Sequence, residues 1–206
     1  MHKKIVETEG SIKKAFIALM RMKPFEQISV RDITQAAGIN RGTFYLHYAD
    51  KYALLEHYED NLVSQITAFF RADFADTMIV ATAERTGEMT YPVVREVVGL
   101  VAAEFDMFKV LFGPTGDPRF EFQLEKMVRA SISERLNQLK GQVAVTTTIP
   151  QDYAWELIIS GLFSIVKTWL QSANPESPET VCAIIMKTRF LSPYDLLGMS
   201  ERQESL

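Results

Sequence analysis

Residues 29–51 have the sequence SVRDITQAAGINRGTFYLHYADK, and this stretch decides how the N-terminal part of the chain folds. Ser29 is followed three residues later by Asp32, which is the pattern of a capping box at the start of a helix. Gly38 follows the last apolar position and predicts the end of that helix, because glycine readily adopts the left-handed conformation found at helix ends. A helix of about eight residues is therefore predicted after Ser29.

A second short helix is predicted directly after the first. Asn40 can cap a helix that runs through Tyr48, and Asp50 can cap a longer helix after it. Two short helices joined by Gly38-Ile39-Asn40 form a unit of about 20 residues, the size of a helix-turn-helix that places its second helix in the major groove of DNA. An ordinary helical hairpin fits the same spacing.

The side chains of the helix after Asn40 favour the DNA-binding interpretation. Gly42 costs about 1 kcal/mol relative to alanine inside a helix, and close approach of the backbone to another surface would explain it. Lys51 puts a cation at the positive end of a helix dipole, which is unfavourable unless an anion such as a DNA phosphate lies there. We expect a small core from Phe44, Tyr48, Val30, Ile33, Ala37 and Ile39, and exposed side chains at Arg41, Thr43, Tyr45 and His47.

The sequence on both sides of this unit also predicts helices. Apolar residues recur every three or four positions before Lys23-Pro24, from residue 3 to 22, and again from Leu54 to Phe70. Further helices are predicted near 91–112, 117–139, 151–173 and 179–191. The β-branched run 143–149 is expected to be an extended loop rather than a strand, and the tail after Gly198 to be frayed. The predicted fold class is all-α, with about nine helices.

The charge distribution divides the chain into two parts. The formal net charge of the 206 residues is −4, which by itself argues against a nucleic-acid ligand. Residues 1–52, however, carry nine Lys and Arg against five Asp and Glu, whereas residues 53–206 carry thirteen against twenty-one. A basic helix-turn-helix domain, residues 1–52, is therefore expected to precede a larger acidic domain, residues 53–206.

Composition limits the compartment of the protein. Hydrophobic residues make up 47% of the chain, enough for a core without metals or crosslinks. Cys182 is the only cysteine, so no intramolecular disulfide can form, and the N-terminus lacks the features of a secretory signal. The longest nearly apolar run, 157–166, is half the length of about 20 residues that a spanning helix needs. We expect a cytoplasmic protein that does not cross a membrane.

The motifs of common enzymes and metal sites are absent from the sequence. It contains no phosphate-binding glycine-rich loop, no Gly-x-Ser-x-Gly elbow, no His-Glu-x-x-His helix and no paired catalytic cysteines. The histidines His2, His47 and His57 have no spacing typical of metal ligands. We therefore expect no catalytic activity, no metal and no other cofactor.

The segment 29–51, preceded by an amphipathic helix and followed by Tyr52-Ala-Leu-Leu55, closely resembles the DNA-binding domain of the tetracycline-repressor (TetR) family. The resemblance covers about residues 8–60, and its core is Gly42-Thr-Phe-Tyr-x-His-Tyr-x-x-Lys51. It implies an all-α homodimer whose C-terminal domain holds an effector and the dimer interface. Residues 112–120, together with the Tyr-Leu-His-Tyr segment, also resemble the subset of dihydroxyacetone-kinase-operon regulators.

The resemblance implies which residues touch DNA. Ser29 and Arg31 would contact the DNA backbone, and Leu46 lies at a position that varies in the family and is often polar. Here Leu46 would touch a thymine methyl group or simply pack. With Asn40 added, the complete set of predicted DNA contacts is Ser29, Arg31, Asn40, Arg41, Thr43, Tyr45, His47 and Lys51.

Two further sets of mainly apolar residues are candidates for an effector pocket and a dimer interface. The pocket set is aromatic and comprises Phe105, Phe108, Phe112, Phe122, Trp155 and Trp169. The interface set forms two helical stripes and comprises Ile158, Gly161, Ile165, Trp169, Val181, Ile184, Ile185 and Thr188. The residues of either set could instead pack inside the core of one subunit.

These patterns predict a transcriptional regulator that binds a specific DNA sequence. Two copies would place the unit 29–48 in successive major grooves of a pseudo-palindromic double-stranded operator. A repressor of this kind would be released when an unidentified effector binds the C-terminal body. The alternative is a helical protein-interaction module whose basic end docks an acidic partner and is indifferent to DNA sequence.

Overall fold

A computed structural model of the chain describes residues 2–72, 81–82, 89–140 and 149–188. Within these residues the α-helices are α1 His2–Met20, α2 Val30–Ala37, α3 Arg41–Tyr45, α4 Lys51–Ala72, α5 Pro92–Ala103, α6 Phe105–Leu111, α7 Pro118–Lys140, α8 Gln151–Gln171 and α9 Pro178–Lys187. A 3₁₀ turn spans Phe25–Gln27, and two short antiparallel strands are β1 Ala81–Thr82 and β2 Met89–Thr90. The all-α prediction is confirmed.

The helix predicted for residues 91–112 is wrong in one respect, because the structure divides it into α5 and α6 at Glu104. Residues 102–106 contain neither glycine nor proline, so the local sequence gives no reason for a break. Glu104 has non-helical backbone angles, φ −108° and ψ 27°, and its carboxylate forms an ion pair with Lys13 of α1. The break therefore coincides with a contact to a helix that is distant in sequence.

Three predictions fall wholly or partly outside the described residues. They are the extended loop 143–149, of which only Ile149 is described, the last three residues of the helix 179–191, and the frayed tail after Gly198.

Contacts within the chain divide it into two compact units. The first comprises residues 1–72 and 103–144, and the second comprises residues 73–102 and 145–206. The first unit thus contains α1 to α4 together with α6 and α7, while α5, α8 and α9 belong to the second. The boundary predicted between residues 52 and 53 falls inside α4, which belongs to the first unit, and the predicted division into two functional domains stays a prediction.

The first unit is built around α1, which packs against α2 and α6. The buried Phe16 of α1 contacts two other aromatic rings. Its ring centroid lies 6.2 Å from that of Phe25 and 5.5 Å from that of Tyr58. Polar contacts also join α1 to α6 and the turn after it: the ion pairs Lys13–Glu104 and Arg21–Asp106, and a hydrogen bond from Thr115 Oγ1 to the Met20 carbonyl oxygen (2.8 Å). Fixing α1 therefore helps to fix α2, which carries one side of the helix-turn-helix.

The second unit contains the hairpin of α8 and α9. Ser177 caps α9 by accepting a hydrogen bond from the Thr180 N–H, and Pro178 occupies the first turn. The Trp169 indole N–H donates to the Glu176 carbonyl oxygen at 2.9 Å and fastens the connection between the two helices. No helix in the part of the chain that the structure describes is long and apolar enough to span a bilayer.

Candidate nucleic-acid interface

The capping box predicted at the start of α2 is present. The Ser29 side-chain oxygen accepts a hydrogen bond from the Asp32 N–H (3.2 Å), and Asp32 Oδ2 accepts one from the Ser29 N–H (2.9 Å). Lys23 Nζ donates to the same carboxylate oxygen at 2.9 Å. Hydrogen bonds from Lys23 and from the Ser29 backbone hold the pKa of Asp32 well below its usual range. The start of α2 is therefore fixed, and its first turn presents the exposed side chain of Arg31.

The turn between α2 and α3 also forms as the sequence predicts. Gly38 ends α2 in the left-handed conformation, with φ 67° and ψ 31°, which a residue with a Cβ adopts only with strain. The Ile39 N–H donates to the Thr34 carbonyl oxygen at 3.0 Å and closes the end of the helix. Asn40 Oδ1 then accepts a hydrogen bond from the Thr43 N–H at 2.7 Å and starts α3. The two helices are thus joined by a turn with a defined conformation.

α3 is shorter than predicted, because it ends at Tyr45 rather than at Tyr48. The His47 N–H donates to the Phe44 carbonyl oxygen three residues back, at 2.9 Å, which is the tighter 3₁₀ pattern, and the Tyr48 N–H shares the same oxygen at 3.0 Å. The predicted core is nevertheless formed. Ile33, Phe44 and Tyr48 are buried, whereas Val30, Ala37 and Ile39 are half-buried.

The outer face of α3 carries polar and aromatic side chains. Arg41 is exposed, and Tyr45 is 54% exposed with its ring edge-on to the buried Phe44 ring, 5.7 Å between centroids. Thr43 is half-buried, and its hydroxyl donates to Asn40 Oδ1 at 3.1 Å. Leu46, directly after the helix, is 86% exposed. α3 therefore presents a surface that could contact a groove of DNA.

His47 is more enclosed than the sequence predicts. Only 14% of its side chain is exposed, and its Nδ1 atom lies 3.5 Å from Glu9 Oε1 of α1. This arrangement leaves Nε2 as the ring nitrogen that can bind an external group. Sequence reasoning missed Glu9 because the two residues lie on different helices, and no local pattern connects them.

Lys51 finds partners inside the protein. Its Nζ atom donates to the carbonyl oxygens of Phe25 (3.0 Å) and Glu26 (2.8 Å), and it lies 4.7 Å from the centroid of the Phe25 ring. Asp50 caps α4 as predicted, accepting hydrogen bonds from two backbone N–H groups at 2.8 Å each. The Lys51 ammonium group was predicted to need an anion such as a DNA phosphate. The two carbonyl oxygens instead stabilise its charge within the protein. An ammonium group has three N–H donors, so one remains for an outside acceptor.

The residues predicted to touch DNA therefore lie on three successive elements of the first unit: the start of α2, α3 with the turn after it, and the start of α4. Ser29 and Asn40 are exposed but use their side-chain oxygens as helix caps. Within the described ranges, no group of three or more His, Cys, Asp or Glu side chains is placed to hold a metal ion.

The predicted pocket residues are distributed over both units. Phe108 and Phe112 form an aromatic row with Phe120 in the first unit, with centroids 6.1 and 5.8 Å apart, and Phe105 is half-buried nearby in sequence. Phe122 is exposed on α7, so it does not belong to this row. Trp155 and Trp169 are buried in the second unit. An effector pocket stays a prediction.

The predicted interface residues are only partly at the surface. Trp169, Val181 and Ile185 are buried within their own unit, so these three do not offer a surface to a partner. Packing inside the subunit explains their place in the apolar stripes. Ile158, Ile165 and Thr188 are half-buried, whereas Gly161 and Ile184 are exposed.

The exposed face of α8 includes two apolar residues that were not in the predicted interface set, Tyr153 and Leu157. They precede Gly161 at intervals of four residues, so they lie on the same side of the helix. A Cβ atom added at Gly161 would meet nothing within 4 Å, which leaves open space above this face. The four-residue spacing was the signal that could have found them.

Glu59 of α4 lies where its neutral form is favoured. Burial, and then the negative charge of Asp117, raise the pKa of Glu59 to about 7, although Arg119 opposes the shift. The Oε1 atom of Glu59 is buried and has no hydrogen-bond partner among the described residues. Asp117 instead pairs with Arg119, with Nη2 and Oδ2 2.8 Å apart. The contact between α4 and α7 therefore contains a carboxyl group that is costly to ionise.

Replacing Glu59 with glutamine is expected to stabilise the first unit above neutral pH and to change little in acid. From its ordinary pKa of 4.5 up to about 7, the unfolded chain loses the Glu59 proton while the folded chain keeps it, so wild-type stability falls over this window. Glutamine does not titrate. Because Glu59 is only partly buried, we expect a gain of about 1–2 kcal/mol at about pH 8 and little at about pH 5. Urea unfolding of both proteins at both pH values measures this gain in stability. A difference between variant and wild type that is the same at about pH 5 and about pH 8 would contradict the expectation.

A basic and aromatic helix that follows a capped helix and a fixed turn defines a protein of the helix-turn-helix class. Two sequence models of one family match the chain. The model described as bacterial regulatory proteins, tetR family, matches residues 12–58, and the TetR model described as transcriptional regulator C-terminal region matches residues 88–189. The chain belongs to the TetR family of transcriptional regulators, as the resemblance of residues 29–51 predicted.

Two curated relatives match over short segments. The uncharacterized HTH-type transcriptional regulator YxbF of Bacillus subtilis (strain 168) is 33% identical over 48 residues, 23% of this chain and 13% of that protein. DhaS of Lactococcus lactis subsp. lactis (strain IL1403), the HTH-type dhaKLM operon transcriptional activator, is 42% identical over 59 residues, 29% of this chain and 32% of that protein. The alignments thus span at most about a third of either relative.

Solved structures share the fold over most of the chain. A TetR transcriptional regulator from Streptococcus agalactiae 2603V matches with a TM-score of 0.57 and 21% identity, covering 91% of this chain and 96% of that one. The fatty acid degradation regulator FadR from Bacillus halodurans matches with a TM-score of 0.61 and 15% identity, covering 95% and 97%. The dihydroxyacetone kinase operon activator DhaS matches with a TM-score of 0.55 and 18% identity, covering 88% and 93%. At these identities the likeness establishes the fold.

Proposed function

We propose that this protein is a transcriptional regulator that binds a specific operator as a homodimer, using α3 as its recognition helix. The main support for the proposal is that α3 has a buried side and an exposed side. Phe44 is fully buried beneath the helix, while Arg41 and Tyr45 are exposed on its outer face. Membership of the TetR family supports DNA binding over the alternative, a protein-interaction module that is indifferent to DNA sequence. We assign the protein no catalytic reaction, and we place it in the cytoplasm, where its DNA would be.

The contacts divide into two kinds. Arg41 and Thr43 would face base edges, since Arg is suited to guanine and Thr to several bases. His47 through Nε2 and Lys51 through its third N–H would hold phosphates, and Arg31 would add a further backbone contact. Phosphate contacts set the position of the protein on the duplex, whereas base contacts set the sequence. The excess of Lys and Arg in residues 1–52 would attract the duplex before these contacts form.

The homodimer would form through the second unit. The exposed side of α8 combines Tyr153 and Leu157 with the bare backbone at Gly161, and Ile184 of α9 is also exposed. Small residues allow helices of two subunits to approach closely, and apolar neighbours supply the buried area. A two-fold axis would then present two α3 helices to half-sites about one helical turn apart, or a multiple of it.

We propose that the bound dimer represses, because occupancy of a promoter excludes polymerase without any further partner. A small-molecule or protein effector that favours a dimer with misplaced recognition helices would release it by linkage. Activation is the second candidate, since the similar protein DhaS is named as an activator. A reporter gene placed behind the operator separates the two: deletion of the regulator raises expression under repression and lowers it under activation.

Tyr45→Ala is expected to weaken operator binding by about 1–3 kcal/mol, or roughly 5- to 150-fold in Kd, while leaving the dimer intact. The ring of Tyr45 is half-exposed on the proposed DNA face, so its loss removes contacts to DNA rather than core packing. The operator would first be selected from a random duplex library with the wild-type protein. Fluorescence anisotropy then gives Kd, and size-exclusion chromatography gives the oligomeric state.

Phe122→Ala is the matched control, because it removes another exposed aromatic ring of the first unit at a distance from α3 in sequence. It is expected to bind the operator like the wild type. A wild-type protein that selects no sequence from the library, and binds all duplexes alike, would favour the protein-interaction module. Unchanged binding by Tyr45→Ala would remove α3 as the recognition helix.

A further inference from the structure

The side chain of Leu46 is exposed at the end of α3, the helix proposed to contact DNA. Of the large apolar side chains that the structure describes, it is the most exposed, at 86%. Single exposed apolar residues are common on protein surfaces, so the exposure alone assigns no role. Leu46, however, immediately follows Tyr45 at the end of α3, in the middle of the surface proposed to contact DNA. An apolar group there would be covered when DNA binds.

The backbone places Leu46 beside a gap in the side-chain surface. Its N–H donates to the Gly42 carbonyl oxygen at 3.1 Å, so it lies one helical turn after Gly42. Long side chains of helical residues lean back over the preceding turn. Gly42 has no side chain to meet Leu46, and a Cβ atom added there would approach only Asn40 Oδ1, at 3.3 Å. Leu46 therefore borders an open space above the bare backbone of Gly42 and supplies its apolar side; we call this space the Gly42–Leu46 recess.

This recess is chemically matched to one group in the major groove. The base edges there present hydrogen-bond donors and acceptors, except for the C5 methyl group of thymine, which is apolar. Leu46 has no polar atom with which to bind any other base edge. We propose that the Gly42–Leu46 recess receives a thymine methyl group in each half-site, so that Leu46 determines one base pair of the operator. The proposal rests on the proposed function, because it needs α3 to enter the major groove.

The test replaces thymine by uracil, which removes the methyl group and keeps the hydrogen-bonding edge. The operator selected by the wild-type protein would be synthesised with 2′-deoxyuridine in place of thymidine, at one position at a time in both half-sites. We expect a single position at which wild-type binding weakens by about fourfold per half-site, the effect of uncovering one methyl group. Leu46→Ala should bind the normal and the substituted operator equally at that position. Selection with Leu46→Ala should lose the thymine preference at the same base pair.

Met22→Ala is the matched control, because Met22 is a similarly exposed apolar residue (81%) of the first unit outside the proposed DNA surface. It should keep the wild-type sensitivity to uracil. The proposal is overturned if every uracil position affects the wild type and Leu46→Ala alike, or if the selected half-sites contain no thymine. Leu46 would then pack against the sugar-phosphate backbone or remain in solvent. Failure of the proposed function gives a different result, in which the wild-type protein selects no operator at all.

Discussion

Replacing Phe44 with alanine is expected to lower the unfolding free energy of the first unit by about 3–5 kcal/mol, the cost of removing a large buried aromatic ring. Phe44 is fully buried, and its ring lies 5.8 Å from that of Tyr48. A five-residue helix has almost no stability of its own, so α3 depends on this anchor. The variant should therefore lose α3 and DNA binding together.

The distribution of tryptophan makes this measurement selective. Both tryptophans, Trp155 and Trp169, lie in the second unit. Urea unfolding followed by tryptophan fluorescence therefore reports the second unit, while far-UV circular dichroism reports both units. Phe44→Ala should shift the circular dichroism transition to lower urea and shift the fluorescence transition less. Phe122→Ala, at an exposed position, should shift neither. A Phe44→Ala protein as stable as the wild type would mean that α3 is not held by this ring.

The parts of the helix-turn-helix that sequence could predict are those with local causes. The capping box of Ser29, the left-handed Gly38 and the cap formed by Asn40 each depend on residues within three or four positions. A hydrogen bond between such close neighbours is visible in the sequence, because only a few side chains can make it. The start and end of α2 and the start of α3 followed from these residues alone.

The parts that sequence could not predict depend on contacts between distant segments. The break between α5 and α6 coincides with the ion pair of Glu104 and Lys13, and His47 is held by Glu9. Lys51 was interpreted as needing an external anion, yet it is bound by the carbonyl oxygens of the 3₁₀ turn. Each of these contacts joins helices whose relative placement is a property of the folded chain. No periodicity within one helix contains that information.

A stripe of apolar residues along a helix does not by itself identify a subunit interface. The stripe of α8 and α9 correctly indicates helices with a buried side, but periodicity does not state whether a neighbour belongs to the same subunit or to another. Trp169 and Val181 were assigned to a partner surface and are buried in their own unit, whereas Leu157 was overlooked and is exposed. An interface assignment from sequence therefore needs the exposure of each residue before it can be used.

Several residues predicted to contact DNA also stabilise the fold, which matters for interpreting variants. Ser29 and Asn40 are helix caps, and replacing such a cap with alanine typically costs about 0.5–2 kcal/mol. Loss of DNA binding in a variant of either residue would thus have two possible origins. Arg41 has no such structural role among the hydrogen bonds described for the first unit, so an Arg41→Ala variant would report DNA contact more directly.

Lys51→Ala is expected to weaken DNA binding and to destabilise the first unit at the same time. The ammonium group holds the carbonyl oxygens of Phe25 and Glu26, and hydrogen bonds of a charged group contribute about 1.5–3 kcal/mol. Loss of one phosphate contact should reduce the dependence of log Kd on log salt by about 0.9 for each half-site. Anisotropy titrations at several salt concentrations give the slope, and urea unfolding gives the stability.

Two further variants separate the structural effect of Lys51 from its effect on DNA. Lys51→Met keeps an unbranched apolar side chain beside the Phe25 ring but removes the charge, so it should show the same reduction in salt slope as Lys51→Ala while recovering part of the packing. Lys51→Arg keeps the charge and should retain the salt slope, although its longer, planar group directs its N–H donors differently from the ammonium group. A salt slope that is unchanged in Lys51→Met would show that the cation serves only the 3₁₀ turn. Because the slope counts phosphates and the unfolding free energy does not, the two measurements together assign the third N–H donor of Lys51 to DNA or to the protein.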